Sequence, residues 1–535
     1  MTGWKRIARV LDGGPLSRRR RYLVVTALLA VGITLALLKP LLSARWSLID
    51  DHETLAFYDA SPSHGPGWFF RELYASGSLS PGEGSRYRPL YYFFRLAETG
   101  IWHGSARLWW LSHVLQFALF ALLLLWAARR TAGIWENFAA LVWMTGAITW
   151  WGDIWGRLGP SENYVALGLA LYIWGAVAAV QTMRSGKLPR YHRWSGAALA
   201  IGGIVAAGTK ENLVFLLLPS VYLVARARWR GSRRWITVGS ALHLTFGIFV
   251  TIAIYVGVAR NGHVYKVDAS TGDRLSLMFA AFEGFIRGHV LVLAAAIAVS
   301  GGALFVAKEK RLVLARSLAM PAVTIIFSLL TWLSQVAFYD GWPPVTPRYY
   351  FPGALAAPLA VYACYVGAVR IARFFDVRAA IILRVLALVL MAWTLLHLDY
   401  SLHKQAALMR KNSSSFSSKL QRVVKAAIAD PNAPIVIVSN RVMSYEPVDS
   451  LQIYLRHAHV KNPVYMVNRF ASSDFPEGSL ERSLAQEMET AARDGGKGLF
   501  PLTKPFAYQP NGGSCIGVGV DGGTGLKECR AVAIF

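Results

Sequence analysis

Residues 18–53 read RRRRYLVVTALLAVGITLALLKPLLSARWSLIDDHE. Four arginines run directly into an apolar stretch from Tyr22 to Leu38, and a cluster of carboxylates follows. Roughly 20 apolar residues are what a helix needs to cross the hydrocarbon core of a bilayer. A cleaved signal peptide is the competing reading, but this run exceeds the usual h-region and no small-x-small site follows it closely. The stretch therefore predicts a retained first span that enters from the basic, cytoplasmic side.

Similar runs recur. About eleven spans are expected, near 22–39, 107–127, 133–151, 164–182, 195–208, 211–225, 235–258, 288–307, 317–337, 351–369 and 379–397. Across all 535 residues, 54% are hydrophobic and only 16% charged, against about 25% charged in an ordinary soluble domain. Spans of this length must be helices, because a barrel strand would alternate apolar and polar residues.

The net charge of +26, from 56 Lys+Arg and 30 Asp+Glu, suggests nucleic acid only if it is gathered outside the membrane. Here it lies mainly in short loops: Arg129-Arg130, Arg184–Arg193, Arg226–Arg234, Lys308–Arg316 and Arg370–Arg378. The alternate loops, 40–106, 152–163, 259–287 and 338–350, are richer in acidic residues, aromatics and Pro. The positive-inside rule sends the basic set to the cytoplasm and the other set outside. Membrane lipids are the expected partners of the basic loops, and nucleic acid is not expected.

An odd number of spans places the C-terminal part outside as well. From about Ser401 the composition turns polar, with strands expected at Ala433–Val438 and Pro463–Val467 and helices near 450–458 and 479–493. The organisation expected is a multi-span domain over 1–400 and a small extracytoplasmic α/β domain over 401–535. Cys515 and Cys529 flank a Gly-rich turn, and a disulfide between them suits an oxidising compartment. Cys364 falls inside a span as a small core residue. In the first outer loop, Gly65–Ala75 and Leu90–Trp102 are aromatic and amphipathic, as helices lying in the membrane interface are.

Charged residues gather at the outer corners. Asp50 and Asp51, with Glu53 beside them, follow the first span; such carboxylates suit a general base or a divalent-cation ligand, or simply an N-capped solvated loop. Arg86 and Arg88 precede the second interfacial stretch, where guanidinium groups match phosphate oxygens or lipid headgroups. Asp153, Arg157 and Glu162 crowd the next outer loop, with Asn163 beside them. Lys210 and Glu211 mark a corner where a lysine is out of place by charge, so a Lys210–carboxylate pair or a snorkelling lysine is expected. Arg348 and Tyr349 open the tenth span; an aromatic belt accounts for Tyr349 but not for Arg348. No phosphate-cradling Gly-rich loop, paired-Cys zinc pattern or Gly-x-Ser-x-Gly elbow occurs in the sequence.

Taken together, the carboxylates after the first span, the interfacial stretches in a long first outer loop and the outer C-terminal part resemble the GT-C class of membrane glycosyltransferases. Tyr87-Arg88-Pro89-Leu90, Gly156-Arg157 before Glu162, Thr209-Lys210-Glu211 and Arg348-Tyr349 before Pro352 resemble short motifs of the transmembrane O-mannosyltransferase-like group, over residues 22–365. The resemblance implies a GT-C-like fold in an inner (plasma) membrane. It also implies a sugar donor on a polyprenyl phosphate, an extracytoplasmic glycan, lipid or protein acceptor, and transfer with inversion. Asp51, or else Asp50, would be the base or would orient the acceptor; Arg88, Lys210 and Arg348, aided by Arg86, would stabilise the departing phosphate. Some members use a divalent cation (Mg or Mn), which Asp50 and Asp51 would then hold.

Three other readings stand beside it. A transporter or flippase would show related halves and mid-membrane carboxylates, and neither is evident. A non-catalytic membrane subunit would not need the acidic segment. An O-antigen-ligase-like transferase would use similar arginines but place its long outer loop late in the chain. The topology has its own test: a reporter fused after Ser401 should be active only when translocated, and activity confined to the cytoplasm would overturn the layout.

Overall fold

A computed structural model describes residues 19–48, 51–60, 64–76, 87–129, 132–147, 150–185, 192–229, 234–261, 271–288, 351–396, 402–439, 445–468, 515–520 and 529–535, and scattered residues between 290 and 348 and between 473 and 486. The expected spans 288–307 and 317–337, and the expected helix 479–493, lie outside the described residues apart from scattered positions.

The chain is mostly helical. Helix α1 (Arg19–Leu38) is followed by three short helices of the first long loop: α2 (His52–Asp59), α3 (Pro66–Ala75) and α4 (Pro89–Trp102). The bundle continues with α5 (Ala106–Ala128), α6 (Ile134–Ala147), the one-turn α7 (Trp151–Trp155), α8 (Glu162–Ser185), α9 (His192–Thr209), α10 (Leu217–Trp229), α11 (Arg234–Asn261) and α12 (Thr271–Gly288). It resumes with α13 (Ala356–Phe375), α14 (Val377–Leu396) and α15 (Leu402–Ala429).

Among the described residues, 4 helical stretches are long and apolar enough to cross a bilayer: Tyr22–Ser43, Ala106–Ala128, Glu162–Met183 and Arg234–Gly257. Their outward faces carry apolar side chains at helical spacing, such as Val24, Leu28, Val31 and Leu35 on α1 and Leu108, Leu111, Leu115 and Leu119 on α5. Stripes like these are untenable in water and natural against lipid. The chain is a helical membrane protein.

Helices in lipid gain little from hydrophobic transfer and depend on close packing, which small residues permit. Helices α8 and α9 meet through Gly168 and Gly202; a Cβ on Gly202 would stand 2.4 Å from the Tyr172 backbone nitrogen. The bundle centre is aromatic, with Trp109, Trp110, Phe117, Trp151, Trp155 and Phe351 all buried in one cluster. Tilted and edge-on ring pairs such as Phe117–Trp155 at 5.2 Å and Trp151–Phe351 at 5.5 Å hold it, in the geometries that aromatic quadrupoles favour.

The C-terminal part departs from expectation in carrying a long leading helix. Helix α15 has an amphipathic pattern with Leu402, Ala406, Ser413, Phe416, Val423 and Ala427 buried. Its first turns, Leu402 and Ala406, belong to the aromatic core of the bundle. Its later turns, Phe416, Val423 and Ala427, belong to the core of a sheet. Gly152 makes the first contact possible, since a Cβ there would come within 2.3 Å of the Gln405 side chain.

The sheet comprises β1 (Ile435–Ser439), β2 (Val464–Asn468), β3 (Ile516–Val520) and β4 (Arg530–Ile534), with helix α16 (Tyr445–His457) between the first two. Strand order is β2-β1-β3-β4 and every pairing is parallel. Alternation along β1 sends Ile435 and Ile437 to the core shared with α15 and α16, and Val436 and Val438 to the opposite face beside Cys515 and Cys529. Burial of both faces is the usual condition of parallel strands. The expected disulfide Cys515–Cys529 is present, with its Cα atoms 4.7 Å apart. Expected β1 and β2 fall within two residues of the observed strands; β3, β4 and α15 had no counterpart in the expectation.

Gly202→Val should lower the thermal unfolding temperature of the detergent-solubilised protein, by a loss of about 3 kcal/mol, because a backbone atom blocks relaxation. Gly32→Ala, where a Cβ would meet nothing within 4 Å, should be neutral or slightly stabilising. Equal behaviour of the two would refute the close-packing account.

Candidate functional site

The corners of α4, α8 and α9 at one end of the bundle meet around the buried Lys210. Lys210 directly follows α9 and is 1% exposed. Its Nζ donates to Glu162 Oε1 at 2.9 Å, to the Phe351 carbonyl at 3.1 Å and to the Arg348 carbonyl at 3.5 Å. Glu162 opens α8, so its carboxylate also sits at a helix N-terminus, where negative charge is favoured. The charges of Arg348 and Arg88 act on that carboxylate together with that of Lys210. Both arginines are half-buried.

Four residues singled out at separate corners of the sequence, Arg88, Glu162, Lys210 and Arg348, thus form one charged cluster. Lys210 pairs with Glu162, and Glu211 opens the 3-10 turn Glu211–Leu216. Arg88 precedes α4, and its carbonyl accepts the Tyr91 N–H at 3.1 Å. The side chain of Leu90 lies where a Cβ on Gly208 would be, at 2.7 Å, so glycine at that position lets α4 seat against α9.

Below Arg88, the inner face of α4 carries Tyr91, Arg95 and Glu98. The Tyr91 hydroxyl lies 2.9 Å from Glu53 Oε2 and 3.0 Å from the Gly159 carbonyl. Arg95 is 3% exposed, donates to the Leu158 carbonyl, and lies over the rings of Tyr91 and Trp109 at 5.5 and 5.6 Å. Burial opposes its charge, while Tyr91, Tyr164, Glu53 and Glu98 more than offset that and hold the guanidinium above its ordinary range. Glu98 accepts from Ser112 at 3.0 Å, from Gln116 at 2.7 Å and from the Tyr164 hydroxyl. Asn163 donates to Gln116 at 2.9 Å, which closes the network. Tyr91, Arg95 and Glu98 were missed as site residues; their spacing of four and three residues, a polar stripe on an aromatic helix, is the signal that could have found them.

The acidic segment after α1 splits in two. Asp51 precedes α2 and is 1% exposed, whereas a surface carboxylate was expected. Its Oδ2 accepts the Ser47 N–H at 2.8 Å. Nearby, the Tyr454 hydroxyl of α16 donates to the Ser47 carbonyl at 2.7 Å. Burial first, and the Asp51 charge second, push the Tyr454 hydroxyl well above its ordinary range, so it remains a donor. Leu55 joins the sheet core, and Asp59 pairs with His457 at 2.9 Å. The burial of Asp51 thus comes from the docking of α2 on α16. Glu53, two residues on, instead turns toward Tyr91 and Arg95.

Asp153 lies in α7 and Arg157 just beyond it, both half-buried. Asp50, Arg86 and Tyr349 lie outside the described residues. Among the described residues no group of three or more His, Cys, Asp or Glu is arranged to hold a metal ion. Comparison of the chain with protein-family models, with curated proteins and with solved structures finds no match.

Lys210→Met should destabilise the protein by about 3–5 kcal/mol, because it strands the buried Glu162 carboxylate. Lys210→Met combined with Glu162→Gln should recover part of that loss in thermal unfolding measured in detergent. A double variant less stable than the sum of the two single ones would contradict the pairing.

Proposed function

We propose that the chain is a membrane glycosyltransferase that moves a sugar from a polyprenyl phosphate to an extracytoplasmic hydroxyl acceptor, with inversion. The observation that carries the reading is the convergence of Arg88, Arg348 and Lys210 at one end of the bundle, beside the acidic segment that follows α1. Lys210 is committed to Glu162 and to two backbone carbonyls, so its role is to position the segment carrying Arg348. The half-buried Arg88 and Arg348 are the groups suited to meet a phosphate.

In this reading Glu53 takes the proton of the acceptor hydroxyl. The acceptor oxygen bonds to the anomeric carbon from the face opposite the leaving group. The bond from that carbon to the phosphate oxygen breaks, and the electron pair leaves with the polyprenyl phosphate. Arg88 and Arg348 stabilise the charge that develops there. Glu53 is preferred to Asp51 because it is half-buried and bonded to Tyr91 on the cationic side. Asp51, buried and bonded to Ser47, positions the turn from which Glu53 projects. The polar outer corners and the small α/β part, as an acceptor-binding element outside an inner membrane, belong to the same reading.

The deciding assay follows consumption of a panel of polyprenyl-phosphate sugars by the purified protein in lipid, with and without a chelator. Glu53→Gln should lower turnover about 100-fold or more with the unfolding temperature unchanged. Arg348→Ala should cost about 100-fold, expressed mainly in donor use. Asp51→Asn should act mainly through stability. Full turnover in Glu53→Gln with loss in Asp51→Asn would transfer the base to Asp51. A wild type that consumes no member of the panel refutes the transferase reading and favours a transporter.

A further inference from the structure

A second charged site lies at the other end of the bundle from Lys210. Helix α13 begins just after Phe351, whose carbonyl Lys210 holds, and runs 20 residues, about 30 Å at 1.5 Å per residue. At its far end, with the end of α5 and the starts of α6 and α14, it encloses a cavity of about 200 Å³. Four guanidinium groups, Arg129, Arg370, Arg373 and Arg384, line it with one carboxylate, Glu136. Arg384 and Glu136 form a buried pair at 2.6 Å, with side chains 8% and 2% exposed. Arg129 is held by the Trp126 carbonyl at 2.8 Å and lies over the Trp126 ring. Arg370 and Arg373, three apart on α13, share a helix face.

Next to this basic cavity lies an almost wholly apolar one of about 170 Å³, lined by residues such as Leu124, Leu141, Trp143, Met144 and Leu359. The two adjoin along the same helices. Ala128 lines the apolar cavity and Arg129 the basic one; Tyr362 lines the first, and Tyr365, one turn on, lines the second. Tyr362 and Asn137, both lining the apolar cavity, are hydrogen-bonded at 2.6 Å.

We propose that these adjacent cavities bind one anionic membrane phospholipid, its phosphate against Arg370 and Arg373 and the first part of an acyl chain in the apolar cavity. An excess of cationic groups over carboxylate among the described lining residues selects for an anion. The adjoining apolar cavity selects for a lipid over a soluble phosphate, since a soluble ion gains nothing from it. A basic pocket at a helix end, about a bilayer's thickness from the candidate catalytic cluster, is where a headgroup would lie. The proposal stands apart from the transferase reading: it needs no turnover, and its test reads none.

The test uses full-length protein in detergent, stripped of lipid and titrated with phosphatidylglycerol, phosphatidylcholine or inorganic phosphate, with bound lipid counted by native mass spectrometry. One phosphatidylglycerol should bind more tightly than any phosphatidylcholine, and millimolar inorganic phosphate should not displace it. Arg370→Gln/Arg373→Gln should weaken that binding about 30-fold, the effect of two basic side chains at an anionic headgroup. Arg226→Gln/Arg228→Gln, on α10, should leave it unchanged. In the wild type, a photoreactive phosphatidylglycerol should crosslink to α5, α6, α8 or α13, whose residues line the two cavities, an arm that depends on no variant folding. Equal binding of phosphatidylcholine, full displacement by inorganic phosphate, an unaltered Arg370→Gln/Arg373→Gln variant, or crosslinks confined to other helices would each overturn the proposal.

Discussion

The buried contact of Lys210 with Glu162 and the Phe351 carbonyl is the interaction on which one end of the bundle depends. A lysine 1% exposed would be costly without a partner of opposite charge. Its bonds reach the start of α8 and the segment entering α13 at once, so three stretches far apart in sequence are fixed by one ammonium group. Phe351 is itself part of the aromatic core with Trp150 and Trp151. The polar contact and the packing of the bundle are therefore set together. Arg88 enters the same field from α4, whose Leu90 rests against Gly208 two residues before Lys210.

Helix α15 provides the second constraint. Its buried face is shared between the aromatic core of the bundle and the core of the sheet. Around it, the acidic segment after α1 is held from both sides. Ser47 receives the Tyr454 hydroxyl and gives its N–H to Asp51, Leu55 enters the sheet core, and Asp59 meets His457. The position of Glu53 relative to Tyr91 follows from that docking. A domain that looks peripheral in sequence thus helps to set the geometry of the candidate site.

The helical, membrane-spanning character was legible in advance because lipid imposes a simple rule on the chain. Runs of about 20 apolar residues have to be helical where no water can satisfy the backbone. The aromatic stretches of the first loop, the corner at Lys210, two of the strands and the Cys515–Cys529 bridge were also readable, from local pattern and spacing. The helix α15 was not, because its face of Leu402, Ala406, Phe416 and Val423 is interrupted by Ser and Lys residues and reads as a polar linker. Strands β3 and β4, short and Gly- and Ala-containing, give too weak an alternation to stand out.

The sequence by itself determined that this is a helical membrane chain, and that its unusual charges lie at the helix corners; both follow from local composition and the cost of polar groups in hydrocarbon. Only the tertiary structure decided which of those charges meet. It joined Lys210 to Glu162, far away in sequence, buried Asp51 under Tyr454, and brought Tyr91, Arg95 and Glu98 into a network with Tyr164. Those outcomes depend on the close approach of helices at Gly202 and Gly208 and on the docking of α16 onto α2. Partners of this kind are chosen by contacts between distant segments, and no local pattern encodes them.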